Sequence, residues 1–343
     1  MTQENSPYHR EENTAVHTQM TLRFYKEHFF LNRSENERLL SQLALLFHDV
    51  GKPKCEVEKF TEKRGQHKSY AGHELVSARI FEDYVLSNNN FGLTDLQIRQ
   101  VRWMIENHLP YGRKCYNDFR IDSTRALTGN LQMFADVLLS DAGGRITEDS
   151  KIPFVTNWVN ETLYLQEQDQ KHNSGLTAYI LVGPSGSGKS TVSEKLMQDA
   201  NTVIFSFDNY RIEYYSNIFP EHTTNIKELY KQAWNYCNEH AEKFNEYTRK
   251  KFNEFIKQNK NIIIDNTNLS PKSRRQWVTI LRQHNYYIIG FEFMSPLYLL
   301  EQRIHQREDK TMSLEVVTNQ YYSTQSIRYS EVDSIRIINN TRG

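Results

Sequence analysis

Residues Gly183 to Ser190, GPSGSGKS, satisfy the spacing G-x-x-x-x-G-K-[ST], with the apolar run TAYILV before them and the helical pattern TVSEKLMQ after them. Glycines at this spacing let backbone N–H groups turn inward around phosphate oxygens, and the helix that follows adds its N-terminal partial positive charge. Lys189 is expected to reach the β- and γ-phosphates of ATP or another nucleoside triphosphate, and the Ser190 hydroxyl to hold Mg²⁺. Gly183, Ser185, Gly186, Ser187, Gly188 and Thr191 complete the expected nucleotide contacts. The plain alternative is a glycine-rich turn without a ligand, and the full pattern between a strand and a helix weighs against it.

A nucleotide alone does not say what receives its phosphate. The next apolar run, TVIFSF, leads into Asp208 and Arg211 in SFDNYR. That places a carboxylate at a strand end, where open α/β sheets bind ligands. Asp208 can accept the proton of an attacking hydroxyl while Arg211 neutralises an acceptor phosphate; capping the next helix is the other use of an aspartate there. Asp265, closing the run NIIID, is the candidate to organise Mg²⁺ or its water. Arg303 and Arg307 in EQRIHQRED lie four apart and are expected on one helix face, closing as a lid over the transferring phosphate. A basic rim of Arg211, Arg274 and Arg275 is the expected surface for the acceptor.

A second chemistry is suggested by the histidines, seven of the twelve of which precede residue 165. His48 and Asp49 form an adjacent pair at the end of LALLFHDVGKP, and around them stand His17, His73, His108 and Asp141. Imidazole and carboxylate ligands without cysteine suit one or two divalent ions such as Mn, Co, Ni, Cu, Fe or Zn better than Ca. Isolated buried histidines are the plain alternative.

These groups require two scaffolds, and 343 residues suffice for two domains with separate cores. Through residue 165, segments such as ERLLSQLALLFHDV and LQIRQVRWMIENHL repeat apolar positions three and four apart, which predicts an all-α unit over 1–165. From Thr177, the runs TAYILVG, TVIFSF, NIIID, YYIIGFEF and IRIINN alternate with polar helical stretches, which predicts a parallel sheet covered on both faces over 177–343. Residues 166–176, ending KHNSGL, read as the linker. The 42 basic and 42 acidic residues cancel, so affinity for nucleic acid or a membrane has to be local. Cys55, Cys115 and Cys237 form no Cys-x-x-Cys pair, and no signal peptide or bilayer-spanning run is present. A cytoplasmic protein is expected.

Taken together, GPSGSGKS, SFDNYR, DNTNLSPKSRR and RIHQRED resemble the kinase module of polynucleotide 5′-hydroxyl kinases over about residues 178–325. The resemblance implies that Asp208 is the general base for a 5′-OH and that Arg211 contacts the acceptor phosphate. In the phage pattern an aspartate directly precedes Thr-Asn-Leu, where this chain has Asn266, with Asp265 one position earlier. The ordered set His17, His48-Asp49, His73, His108 and Asp141 resembles the HD phosphohydrolase superfamily over about residues 10–150. That resemblance implies one ion on His17, His48, Asp49 and Asp141, a second on the intervening histidines, and Lys52 at a position that contacts the scissile phosphate. His67 and Glu74 are further polar groups near the second-ion histidines.

The pairing resembles the bifunctional HD-domain and polynucleotide kinase enzymes of RNA end healing. It implies removal of a 2′,3′-cyclic phosphate, 2′-phosphate or 3′-phosphate and phosphorylation of a 5′-hydroxyl on RNA or DNA ends. Neither a D-x-D phosphatase motif nor a K-x-D-G ligase motif is present, so sealing would fall to a separate RNA ligase. Two other readings stay open: a kinase of a small hydroxyl acceptor fused to an HD nucleotidase, and a nucleotide-sensing regulator that binds metal without turnover.

Overall fold

A computed structural model describes residues 13–62, 65–109, 117–146, 150–163, 175–197, 200–221, 223–310 and 312–341. The chain divides into two units, Met1–Asp169 and Gln170–Gly343. Cys115 and residues 166–174 of the expected linker lie outside the described residues.

The first unit is built from α1 (Thr14–His28), α2 (Glu35–Phe47), α3 (Lys52–Cys55), β1 (Val57–Thr61), β2 (Gly65–Ser69), α4 (His73–Ser87), α5 (Asp95–Glu106), α6 (Asn117–Ala126), α7 (Leu131–Gly143) and α8 (Ile152–Leu163). Reciprocal capping boxes, Ser34 with Glu37 and Thr94 with Gln97, satisfy the first backbone N–H groups of α2 and α5 and fix where they start. The unit is not all-α. An antiparallel hairpin pairs Val57 with Ser69 and Thr61 with Gly65. All five β1 residues are exposed, so neither face carries the apolar alternation by which a strand is read from sequence.

α5 is buried continuously from Ile98 to Glu106, charges included. Arg102 pairs with Glu82 of α4, and Arg79 Nη1 reaches the other Glu82 oxygen at 2.8 Å. Buried charge is tolerable only when paired in this way. The network clamps α4 to α5, and so fixes His73 at the start of one helix and His108 just past the end of the other.

In the second unit the order is β3 (Thr177–Val182), α9 (Lys189–Leu196), β4 (Thr202–Phe205), α10 (Phe207–Ile218), α11 (Ile226–Glu239), α12 (Ala241–Lys257), β5 (Asn261–Ile264), α13 (Pro271–Gln283), β6 (Tyr287–Met294), α14 (Leu297–His305), α15 (Leu314–Ser323) and β7 (Ser334–Asn339). The sheet runs β4-β5-β3-β6-β7, and its neighbouring strands pair in parallel. Strand residues alternate between its two faces: Ala178, Ile180, Ile262 and Ile264 pack into one core, Leu181 and Ile263 into the other. Burial on both faces explains why these strands read as continuous apolar runs. β3 lies between β5 and β6, so the loop leaving its C-terminus opens into the crevice where the strand order reverses.

Candidate active site and metal centre

The loop after β3 wraps the N-terminus of α9. Gly186 and Gly188 have φ of +84° and +90°, a left-handed conformation that side chains with a Cβ rarely adopt. Lys189 donates from Nζ to the carbonyls of Gly183 at 2.9 Å and Pro184 at 2.8 Å. Burial pushes its ammonium down to about 8. Ser190 and Thr191 are exposed and line a cleft of about 870 Å³ together with Ser185, Gly186, Gly188 and Lys189. Ser187 is buried with its hydroxyl unpartnered, and Gly183 is closed off by the N–H bond it gives to Thr267 at 3.1 Å.

The segment after β5 organises the other wall. Asp265 accepts a hydrogen bond from Ser193 of α9 at 3.0 Å. The Asn266 side chain accepts the N–H of Phe207 at 2.9 Å and thereby fixes the start of α10. Asp208 lies in that first turn, three residues past the end of β4. One of its oxygens accepts from Arg211 Nη1 and from the Tyr230 hydroxyl, each at 2.9 Å. The other pairs with Lys310. Burial opposes ionisation of Asp208, but Lys310 and Arg211 outweigh it and hold the carboxyl below the usual carboxylate range.

Two expectations from sequence are corrected here. α14 ends at His305, so Arg303 and Arg307 do not share a helix face. Arg303 donates to the carbonyls of Gly186 and Asn340, both at 3.2 Å, whereas Arg307 lies beyond the helix in a bidentate pair with Asp309; both still line the cleft. Arg274 is no part of a rim. It is fully buried, holds Glu331 at 2.8 Å and donates to the carbonyls of Asn268 and Ser326, while Arg275 beside it is exposed. On a helix covered along one face, adjacent residues point in different directions.

In the helical unit all six histidines and aspartates singled out from sequence are buried and converge. His17, His48 and Asp141 form one group and Asp49, His73 and His108 another, with one ligand atom per residue and those atoms within 4.8 Å of each other in each group. Each group holds two imidazoles and one carboxylate. Asp49 faces both sets: Oδ2 lies 3.2 Å from His48 Nε2, and Oδ1 lies 3.0 Å from His73 Nε2 and 3.7 Å from His108 Nε2. This differs from the single-ion role expected for Asp49.

The four imidazoles are oriented alike. Nδ1 of His17, His48, His73 and His108 donates to the carbonyls of Gly144, Leu45, Tyr70 and Ile105 at 3.2, 2.6, 2.7 and 2.8 Å. A carbonyl only accepts, so each ring carries a proton on Nδ1 and turns Nε2 inward. Nε2 of His17 lies 3.0 Å from Asp141 Oδ1, while Nε2 of His48 and of His73 has no hydrogen-bond partner although a carboxylate oxygen of Asp49 lies near. A cation among these nitrogens and carboxylates would give each of them a partner, and backbone carbonyls are among the usual outer partners of ligating imidazoles. The donor set therefore fits one or two divalent transition ions. Burial, together with His48 and His73, pushes the His108 imidazolium down to about 3, which keeps that ring neutral.

Lys52 is buried and pairs with Asp49 at 2.8 Å. Glu74 approaches His73 Nδ1 only at 3.7 Å, and His67 lies on β2, its ring donating to Gly65. Sequence reasoning missed Arg145, which holds the second oxygen of Asp141 at 2.5 Å; its spacing four residues past Asp141 was the available signal. It also missed Tyr230 and Lys310, which lie 22 and 102 residues from Asp208 and carry no local signal.

Residues 179–327 match the family described as AAA domain. Three solved structures are similar to parts of the chain. A chain of the Pnkp1/Rnl/Hen1 RNA repair complex is 21% identical, with 45% of each chain covered and a TM-score of 0.33. A chain of the PezAT toxin–antitoxin system of Streptococcus pneumoniae is 16% identical over 51% of this chain and 72% of that one, at a TM-score of 0.36. A gluconokinase from Sinorhizobium meliloti 1021 is 15% identical over 50% and 86%, at 0.30. The chain thus spans under half the length of the RNA-repair chain. No curated protein matches it. The second unit is a kinase-like P-loop α/β domain preceded by a helical unit, and no helix among the described residues is long and apolar enough to cross a membrane.

Proposed function

We propose that this chain is a bifunctional end-healing enzyme acting on RNA ends. The second unit, residues 177–343, transfers the γ-phosphate of a nucleoside triphosphate to a 5′-hydroxyl. The helical unit, residues 1–165, hydrolyses a 2′,3′-cyclic phosphate, 2′-phosphate or 3′-phosphate, and a separate RNA ligase seals the healed ends.

What supports the reading is that one chain carries a cleft lined by Lys189 and Asp208 in one unit and a buried set of four inward-turned imidazoles around Asp49 in the other. In the cleft, Lys189 exchanges its carbonyl partners for the phosphates, and Arg303 and Arg307 neutralise charge on the transferring group. The acceptor hydroxyl displaces Lys310 from Asp208 and gives that carboxylate its proton, while Tyr230 and Arg211 hold the carboxylate in place. In the helical unit, the groups of His17, His48 and Asp141 and of Asp49, His73 and His108 would hold divalent ions, whose chemistry when bound would be Lewis acidity toward phosphoryl oxygens and activation of water. Lys52 places a positive charge beside Asp49 for the phosphate of the substrate, and Arg145 keeps Asp141 oriented.

The test is a short RNA with a 5′-OH and a 2′,3′-cyclic phosphate, incubated with ATP and Mg²⁺ and, separately, with Mn²⁺, Co²⁺ or Ni²⁺. Both ends should change, with D208N blocking only the 5′ change and D49A only the 3′ change. Phosphate transfer to a sugar or nucleoside but not to the RNA would refute the reading.

A further inference from the structure

Trp234 differs from the other three tryptophans of the chain. Trp103, Trp158 and Trp277 are at most 7% exposed, whereas Trp234 is 40% exposed and is among the residues lining the phosphate cleft. It follows Tyr230 by one turn of α11, with ring centroids 6.2 Å apart and planes 31° from parallel. Tyr230 in turn bonds Asp208, so a single aromatic ring separates Trp234 from the carboxylate that meets the acceptor hydroxyl. The Arg211 guanidinium sits over the Trp234 ring at 4.2 Å from its centroid and is enclosed further by Phe244 and Phe207 at 5.5 and 5.9 Å.

From this geometry we infer that Trp234 is the stacking platform for the terminal nucleobase of the acceptor and selects polynucleotide ends over small non-aromatic alcohols. The inference rests on the kinase reading above and names the acceptor subsite within it. A partly exposed flat ring with a cation against it suits a nucleobase, and it suits all four alike, because every base presents a π-face. Arg211 then has two tasks. Its charge faces Asp208 and the acceptor phosphate, and its plane supports the indole. A sugar or other aliphatic hydroxyl has no aromatic face to stack on Trp234 and gains chiefly the contacts at Asp208.

The experiment uses the full chain and two 5′-OH hexaribonucleotides, one intact and one abasic at its 5′-terminal position. Without nucleoside triphosphate, the intact oligonucleotide should quench tryptophan emission, and W234F should abolish that quench because the three remaining tryptophans are buried. In phosphate transfer, W234A should raise the KM for the intact acceptor roughly 5- to 150-fold, the range expected for loss of one base–aromatic stack. W234F should recover most of that loss. The abasic acceptor should be poor for the wild type and equally poor for W234A. Transfer to the intact acceptor with no quench and an unchanged KM in W234A would overturn the platform and leave the kinase reading standing. Quenching lost in W234F without transfer would support the platform and overturn the kinase reading. The absence of both would overturn both.

Discussion

Replacing Arg274 by alanine tests whether its side chain holds the fold together or contacts substrate. The guanidinium is fully buried, meets Glu331 through Nε at 3.1 Å and Nη2 at 2.8 Å, and donates to the carbonyls of Asn268 at 2.9 Å and Ser326 at 3.1 Å. R274A leaves a carboxylate and three carbonyls, of Asn268, Gln325 and Ser326, facing a cavity. Removing one partner of a buried ion pair costs about 3–5 kcal/mol, a large share of the roughly 5–15 kcal/mol that hold a domain folded. With an m-value of about 2 kcal/mol/M, the urea midpoint of this unit should fall by about 2 M. R275A, at the exposed neighbour, should stay within about 0.5 kcal/mol of the wild type. Urea unfolding followed by tryptophan emission, with hydrogen exchange read on α13, measures both variants. R274M/E331L, which removes both charges, should recover part of the loss. The reasoning fails if R274A is as stable as R275A and instead weakens binding of a 5′-OH oligonucleotide, since the side chain would then serve the acceptor.

D49A should abolish metal binding at both histidine–aspartate groups, because Asp49 faces both, whereas H73A should leave the group of His17, His48 and Asp141 loaded; native mass spectrometry of the metal-loaded protein counts the ions. D208N should lower phosphate transfer to a 5′-OH end by about 10²- to 10⁴-fold with hydrolysis at the other end unchanged, read on one doubly labelled RNA. Burial places the Lys189 ammonium at about 8 in the free protein, and bound phosphates favour its charged form, so nucleotide binding takes up a proton above that pH. Affinity for a nucleoside triphosphate should be flat well below pH 8 and weaken as pH rises through it, by at most one logarithmic unit per pH unit. Calorimetry in buffers of different ionisation enthalpy should show the same proton uptake.

The phosphate-binding loop and the parallel sheet were legible in the chain because both are local. A G-x-x-x-x-G-K-S run between strand and helix carries its own backbone geometry, and strands covered on both faces announce themselves as short apolar runs. The helices of the first unit were legible through apolar spacing, but the β1–β2 hairpin was not, because β1 is exposed throughout and the β2 sequence GQHKS has no apolar side chain to show a pattern. Arg307 was placed on a helix from its spacing to Arg303, yet spacing does not say where the helix stops, and its last turn closes at His305.

The residue types of both candidate centres, their order, and a helical stretch followed by a parallel α/β sheet were legible in the sequence alone. Partnership was decided only in three dimensions. Tyr230 and Lys310 reach Asp208 across 22 and 102 residues, and His17 reaches Asp141 across 124. Burial, too, was settled there: Arg274 and Arg275 are identical in type and adjacent in sequence, and the turn of α13 sends one into the core and the other into solvent. Likewise the carbonyls that turn four imidazoles inward come from backbone, which has no signature in the residue alphabet. Local rules act over a few residues, whereas a site is closed by contacts between elements whose separation along the chain carries no information about their separation in space.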